Sequence, residues 1–395
     1  MSSAWLLPEH IADVLPVQAR HIETLRAELL GVARRFGFEL VAPPLLEHIE
    51  SLLSGTGREL ELTTFKLVDQ LSGRTLGVRA DSTPQVARID AHLLNRRGVT
   101  RLCYCGPVLR TLPVGVHATR EPLQFGAEIY GHARLEADLE VLELALDCLG
   151  AAGVRSVTLD LADARAVNAV LQGVDDPARR EAVAGALAAK DVATLRELGA
   201  GLRGPVAAAL LALVDLYGDE AVLHKARATL PAHPLLDAAL RDLQWLASQI
   251  RQTHPDVSVG FDLADMGGYG YYSGARFAVY RSGANDALLR GGRYDEVGAI
   301  FGRNRPAVGF SLDLKTLAEL APGNGAQAAI RAPWGEDAGL RTAIRNLRGR
   351  GETVVSMLPG HEHEAQEFDC DRELVAVGGQ WVVRSLRDEP ARSQA

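Results

Sequence analysis

GPVLRTLPVGVHATREPLQFGAEIYG, residues 106–131, decides how the chain is read: two strand-like runs flank a loop carrying Arg110 and Arg120. In a strand successive side chains face opposite ways, so Gln124, Gly126 and Glu128 share one face of the second run. Two polar groups and a gap make an awkward core pattern, because burying an unpaired carboxylate is costly. That face is either solvated or the floor of a polar pocket.

On the N-terminal side, GVRADSTPQVARI (77–89) sets Asp81 and Thr83 in a turn before a helix starting at Pro84. A carboxylate and a hydroxyl there can receive an ammonium group, and the same residues also read as an ordinary N-cap and first turn. Residues 20–36 place Ile22, Leu25, Leu29, Leu30, Val32, Ala33 and Phe36 on one helical face, and Gly37 ends that helix. The paired prolines of FELVAPPLLE force an extended segment that lacks backbone donors and belongs at a sheet edge or an interface. Strand-like runs at 64–68, 75–79, 101–105 and 124–130, with helix between them, predict an α+β fold.

On the C-terminal side, a helix over 134–150 ends in glycine and VRSVTLDLA reads as a strand. Residues 163–251 are Ala/Leu/Arg-rich with helical periodicity, a helical insertion of subdomain size. Strand signals resume at 257–263, 276–281 and 286–290, and AVGFSLDLKTLAEL (307–320) runs from strand into helix. Within this stretch GFDLADMGGYGYYSGARFAVY (260–280) carries Tyr269, Tyr271 and Tyr272 in a glycine-rich turn. Such tyrosines suit a small heteroaromatic ligand that glycine lets the backbone approach; simple aromatic packing is the alternative. RGGRYDEV (290–297) is open to the same ligand reading or to that of a tight hairpin exit. APGNGA (321–326) is a linker, followed by a small domain with an amphipathic helix over 337–349. His361 and His363 of HEHE lack a third ligand at convincing spacing, so an exposed acidic loop is expected there, and no metal.

Composition narrows the class. A chain of 395 residues allows two or three domains, and 47% hydrophobic with 23% charged residues excludes collagen-like, disordered and disulfide-framework chains. The balance of 42 basic against 50 acidic residues, net -8, argues against a broad nucleic-acid surface. Cys103, Cys105, Cys148 and Cys370 match neither redox nor zinc spacing and read as buried, reduced thiols. No leader pattern and no membrane-length apolar run is present, so a cytoplasmic protein is expected.

In their order, these four constellations resemble the catalytic core of histidyl-tRNA synthetase, a class II aminoacyl-tRNA synthetase, over about residues 5–320. The resemblance implies an α+β fold with an antiparallel sheet flanked by helices, a core over 1–320 with the insertion at 163–251, and a C-terminal domain over 327–395. It implies that Asp81 and Thr83 hold the amino group of histidine, that Arg110 is the second-motif arginine, and that Gln124 and Glu128 line the amino-acid pocket. Tyr271 and Tyr272 correspond to the paired tyrosines around the imidazole.

Three departures separate the chain from that enzyme family. Its arginine-x-glutamate pattern reads Arg110, Thr111, Leu112 here; Gly267 to Tyr272 lacks the arginine that precedes Gly-Leu-Asp-Tyr-Tyr; and the third-motif arginine falls near Thr316. Losing one electrostatic stabiliser typically costs about 3–4 kcal/mol of transition-state stabilisation, so adenylation is not expected, and no catalytic residue or cofactor is assigned. Residues 321–395 hold 9 Arg, no Lys and 11 Asp plus Glu, poor chemistry for gripping an RNA stem.

The whole arrangement, with RAPWGED at 331–337 and the CDRELV…GGQWVV tail, resembles the regulatory-subunit family of ATP phosphoribosyltransferase. That resemblance implies a non-catalytic partner of the short catalytic chain in the first step of histidine biosynthesis. It implies a synthetase-like dimer within a hetero-octamer of four copies of each chain, histidine as allosteric effector, and neither nucleic acid nor membrane as partner. A free-standing amino-acid sensor or RNA-binding paralogue, or an active histidine ligase, are the alternative readings.

Overall fold

A computed structural model describes residues 6–386 except 54–57, 116–117, 269, 283–285, 297–301, 324–326 and 362–367. Tyr269 and residues 362–364 of HEHE therefore lie outside the described residues. Contacts separate the chain into two units: Val14–His21 groups with the residues from Gly323 onward, and the remainder up to Pro322 forms the other.

From Ile22 on, the helix Pro16–Arg35 belongs to the larger unit, and its buried residues include Ile22, Leu25, Leu29, Val32 and Ala33. Leu30 and Phe36 are half-buried, so the apolar stripe is narrower than the sequence periodicity implies. Its strands are β1 (Glu39–Leu40), β2 (Leu46–His48), β3 (Phe65–Val68), β4 (Thr75–Val78), β5 (Thr100–Pro107) and β6 (Leu123–Tyr130). They continue as β7 (Val157–Asp163), β8 (Tyr217–Gly218), β9 (Ser258–Asp262), β10 (Ala275–Arg281), β11 (Leu289–Arg293) and β12 (Ala307–Asp313). A nine-stranded sheet runs β1-β5-β6-β12-β11-β10-β7-β9-β8, antiparallel except for β1–β5 and β7–β9; β2, β4 and β3 form a small antiparallel sheet. The prolines lie in the connection between β1 and β2, each an edge strand of its own sheet, so their missing donors interrupt no ladder.

Alternation along β6 sorts its two faces. Phe125, Ala127 and Ile129 are buried, and the helix Leu135–Ala151 contacts this strand and buries Val141, Leu142, Ala145 and Leu149. Gly153, at φ 74, ends that helix in the left-handed conformation that glycine adopts without strain. Gln124, Gly126 and Glu128 consequently line the opposite face.

The helical insertion groups with this unit. Tyr217–Gly218 pairs with β9 as an edge strand, and the helix Pro234–Thr253 buries Leu236, Leu240, Leu243, Leu246 and Ile250 and contacts β7 and β10. The tight-hairpin reading of RGGRYD also gives way. Arg290–Arg293 lie inside β11, and side chains at Gly291 or Gly292 would overlap Phe277 and the Ala275 carbonyl. Those glycines serve close strand packing, which from sequence alone looks like a turn.

In the smaller unit β13 (Gln327–Pro333), β14 (Val354–Met357), β15 (Phe368–Val377) and β16 (Gln380–Ser385) form a sheet ordered β14-β13-β15-β16. The β15–β16 hairpin turns on Gly378 and Gly379, both at positive φ, as a two-residue primed turn demands. Leu340 and Ile344 of the helix Ala338–Gly349 pack on Ile330, Ala332 and Leu374, and Asp337 caps that helix by accepting from Leu340 N at 2.7 Å. No helix among the described residues is long and apolar enough to cross a membrane.

Candidate functional site

Register assembles the site. Tyr104 of β5 lies opposite Gly126, while β12 sets Gly309 opposite Glu128 and Ser311 opposite Gly126. The gap at Gly126 is not an open floor: a side chain there would overlap the Tyr104 ring and hydroxyl, which fill it. Tyr104 and Thr83 each donate a hydroxyl hydrogen bond to Glu128 Oε1, both at 3.1 Å.

The turn of the Asp81 segment is tied to the same strand. Gln124 Oε1 accepts from Ser82 N at 2.9 Å, and Gln124 Nε2 donates to Asp81 Oδ1 at 3.0 Å. Asp81 Oδ1 also accepts from Thr83 N at 2.9 Å, so this carboxylate shapes the turn locally and faces β6 at once. Ser82 makes no side-chain cap, and the Thr83 hydroxyl reaches Glu128 instead; the ordinary capping reading accounts for only part of the motif.

Glu128 is 1% exposed, and among the described residues its Oε2 has no hydrogen-bond partner. Burial pushes its carboxyl well above the usual carboxylate range, and the nearby Asp81 charge adds to this, while the Thr83 and Tyr104 hydroxyls oppose it. Side-chain atoms at Gly309 would overlap both Glu128 Oε2 and the Tyr294 hydroxyl, so two unpartnered buried polar groups flank one glycine. The Tyr271 ring stacks on Tyr294 at 5.1 Å between centroids and meets Tyr272 edge-on at 5.2 Å. Burial, partly offset by Arg276, pushes the Tyr272 hydroxyl up to about 12.

Asp81, Thr83, Gln124, Glu128, Tyr271 and Tyr272 are thus brought together. Arg110 adjoins the Asp81 turn: its main chain bridges to Thr64 and its Nε donates at 3.2 Å to the carbonyl of Ala80, the residue before Asp81. Sequence reasoning missed Tyr104, Tyr294 and Gly309. Tyr104 alternates in β5 as Glu128 does in β6, a signal present in the sequence; Tyr294 and Gly309 join the site only through strand register.

One end of this arrangement offers a carboxylate and an amide to an ammonium group. The other offers a buried carboxyl and tyrosine rings to a flat ring bearing a polar hydrogen. Next to it, Asp313 accepts from Leu123 N at 2.9 Å and Lys315 N at 3.0 Å, and Thr316 Oγ1 donates to it at 2.9 Å. Near Thr316, where the synthetase resemblance places an arginine, the chain has a hydroxyl bonded to the N-cap carboxylate of Asp313. A cavity of about 740 Å³ lies elsewhere, lined in part by Arg165, Trp245 and Arg293. Its Arg165 is already paired with Asp163 and Asp242, and its Arg293 with Asp138 and Asp295, which makes it the weaker binding candidate. No group of three His, Cys, Asp or Glu side chains among the described residues is placed to hold a metal ion. Cys103 and Cys148 are buried, whereas Cys105 and Cys370 are only half-buried, short of the full burial expected of them.

Fold and site define a class II synthetase-like body of the histidyl type, and the histidyl-tRNA synthetase family model matches residues 10–317. A second model, the C-terminal domain of ATP phosphoribosyltransferase subunit HisZ, matches residues 327–384. The chain is 63% identical over 385 residues to the ATP phosphoribosyltransferase regulatory subunit of Verminephrobacter eiseniae, covering 97% of this chain and 100% of that one. The Albidiferax ferrireducens protein of the same name is likewise 63% identical, with the same coverage. A solved Bacillus halodurans structure described as an ATP phosphoribosyltransferase regulatory subunit/histidyl-tRNA synthetase superposes with TM-score 0.79 at 27% identity, over 90% of this chain and 93% of that one. A Nostoc histidyl-tRNA synthetase, at 18% identity and TM-score 0.76 over 96% and 97% of the two chains, shares the fold. The chain belongs to the ATP phosphoribosyltransferase regulatory subunit family.

Proposed function

We propose that this chain binds histidine between Asp81 and Glu128 and, assembled with the short catalytic chain of ATP phosphoribosyltransferase, activates that chain and relays feedback inhibition. The observation that carries the reading is the Glu128 carboxyl, buried without a cation, one oxygen unpartnered, walled by Tyr271, Tyr272 and Tyr294. An apolar ligand would leave that oxygen orphaned at a cost of about 1–3 kcal/mol, whereas an imidazole N–H satisfies it. The histidine ammonium goes to Asp81, Thr83 and Gln124, with Arg110 at the rim. In this reading the chain carries out no adenylation, because the third-motif arginine of the synthetase pattern falls near Thr316, where no arginine occurs.

Feedback requires that histidine bind the inhibited arrangement of the complex more tightly than the active one. Four copies of each chain around a synthetase-like dimer is the assembly we expect, in the cytoplasm, in the first step of histidine biosynthesis. The test is co-purification with the short catalytic chain, followed by an assay of ATP and phosphoribosyl pyrophosphate condensation with and without histidine. Complex formation, stimulation and loss of rate on adding histidine are expected; no complex and no stimulation would overturn the reading.

A further inference from the structure

An amino acid brings a carboxylate as well as an ammonium group and a side chain, and among the described residues no arginine or lysine pairs with the side chains of Glu128, Gln124 or Asp81. Arg110 donates to the Ala80 carbonyl at the rim, and Arg276 is paired with Asp265 at 3.0 Å beside the Tyr272 ring. The sheet register supplies another arginine. Gly126 pairs with Ser311, and Ser311 pairs with Arg290, so these three lie in one row across β6, β12 and β11. The neighbouring row runs Glu128, Gly309, Gly292 and Arg276. Arg290 therefore emerges on the face that carries Gln124 and Glu128, two strands from Gly126. At roughly 4.8 Å per strand this is about 10 Å, most of which an arginine side chain spans.

Arg290 is exposed, and among the described residues it makes no ion pair; its guanidinium lies over the Tyr280 ring at 6.0 Å. The charges of Arg276, Asp81, Glu128 and Arg290 all act on the Tyr272 hydroxyl, with Arg276 over its ring at 4.8 Å. The acids nearest in register are already engaged or distant. Asp313, one row away, is held by Leu123, Lys315 and Thr316, and Asp160 stands two strands beyond Arg290, across Ala278. Ser311, half-buried between Gly126 and Arg290, adds a hydroxyl donor to the same row.

We infer that Arg290, assisted by Ser311, receives the α-carboxylate of the bound amino acid, completing a site whose other ends are Asp81 and Glu128. This rests on the pocket assignment above and adds the determinant that separates an amino acid from the corresponding amine. Guanidinium–carboxylate pairing is charge-assisted and planar, so lysine substitutes incompletely.

The test is calorimetric titration of the full-length chain and its Arg290→Ala and Arg290→Lys variants with histidine and with histamine, which lacks the carboxylate. The wild type should favour histidine, and Arg290→Ala should lose roughly 10- to 100-fold in histidine affinity while its histamine affinity stays put. Arg290→Lys should recover part of the loss. An equal fall for both ligands, or an unchanged histidine affinity, would overturn the role of Arg290. No histidine binding by the wild type would instead overturn the pocket assignment.

Discussion

Two carboxylates in the same sheet-and-helix body are buried almost alike and furnished in opposite ways. Asp138, 2% exposed, meets the guanidinium of Arg293, which also donates to the His132 carbonyl at 3.1 Å and the Arg134 carbonyl at 3.1 Å. Asp90 repeats the pattern with Arg305 at 2.9 Å. Glu128, 1% exposed, is given only hydroxyl donors on one oxygen and nothing on the other. Burial raises the affinity of both Asp138 and Glu128 for a proton, but Asp138 has an arginine that opposes the shift and Glu128 has none. A buried carboxylate with its own cation fastens strands and helices together; one without is the group to which the proposed function assigns the ligand.

The contrast is broken most severely at the fastened end. Arg293→Met strands Asp138 without a partner, and urea denaturation should show a loss of about 3–5 kcal/mol. Gly309→Ala attacks the unfastened end sterically, because the new methyl overlaps Glu128 Oε2 and the Tyr294 hydroxyl. It should cost about 1–3 kcal/mol in the same assay and abolish measurable histidine binding by calorimetry. Glu128→Gln separates binding from folding: histidine affinity should fall roughly 10-fold or more, while stability near neutral pH holds or rises.

The pH dependence of that variant sharpens the point. A carboxyl whose pKa is raised on folding holds its proton longer in the folded state, so its stabilising contribution is present at low pH. It is lost as pH climbs from the unfolded value, about 4.3, through the raised folded one. Wild type should therefore lose stability relative to Glu128→Gln across that interval, measured as the difference in unfolding free energy between pH 4 and 8; parallel curves would contradict the unpaired-acid description. The smallest effect belongs to a solvated pair. Lys190 and Asp262 lie 2.8 Å apart with side chains 43% and 23% exposed, and Lys190→Ala should change stability by no more than about 1 kcal/mol in the urea assay.

Much of this was legible before folding. The period-2 alternation of Gln124, Gly126 and Glu128 announced a polar strand face, and Asp81 with Thr83 announced a turn able to meet a cation. The strand expected at 286–290 proved to be Leu289–Arg293, because glycines that pack against Phe277 and Ala275 resemble glycines that turn. Arg110 reads as a pocket residue in the linear pattern, and in the fold its Nε donates to the carbonyl of Ala80, beside Asp81. Tyr294 sits in a quoted motif without a visible role until β11 and β12 pair.

By itself the sequence determined the periodicities, the glycine and proline punctuation and the residue types available to chemistry, since these depend on neighbours a few positions apart. Only the tertiary structure decided which buried carboxylates received a cation and which arginine was left over. Those outcomes depend on how a helix residue such as Asp138 packs against Arg293 of β11, and on strand register between segments as distant as Gly126 and Arg290, where a shift of one residue would turn each strand side chain to the other face.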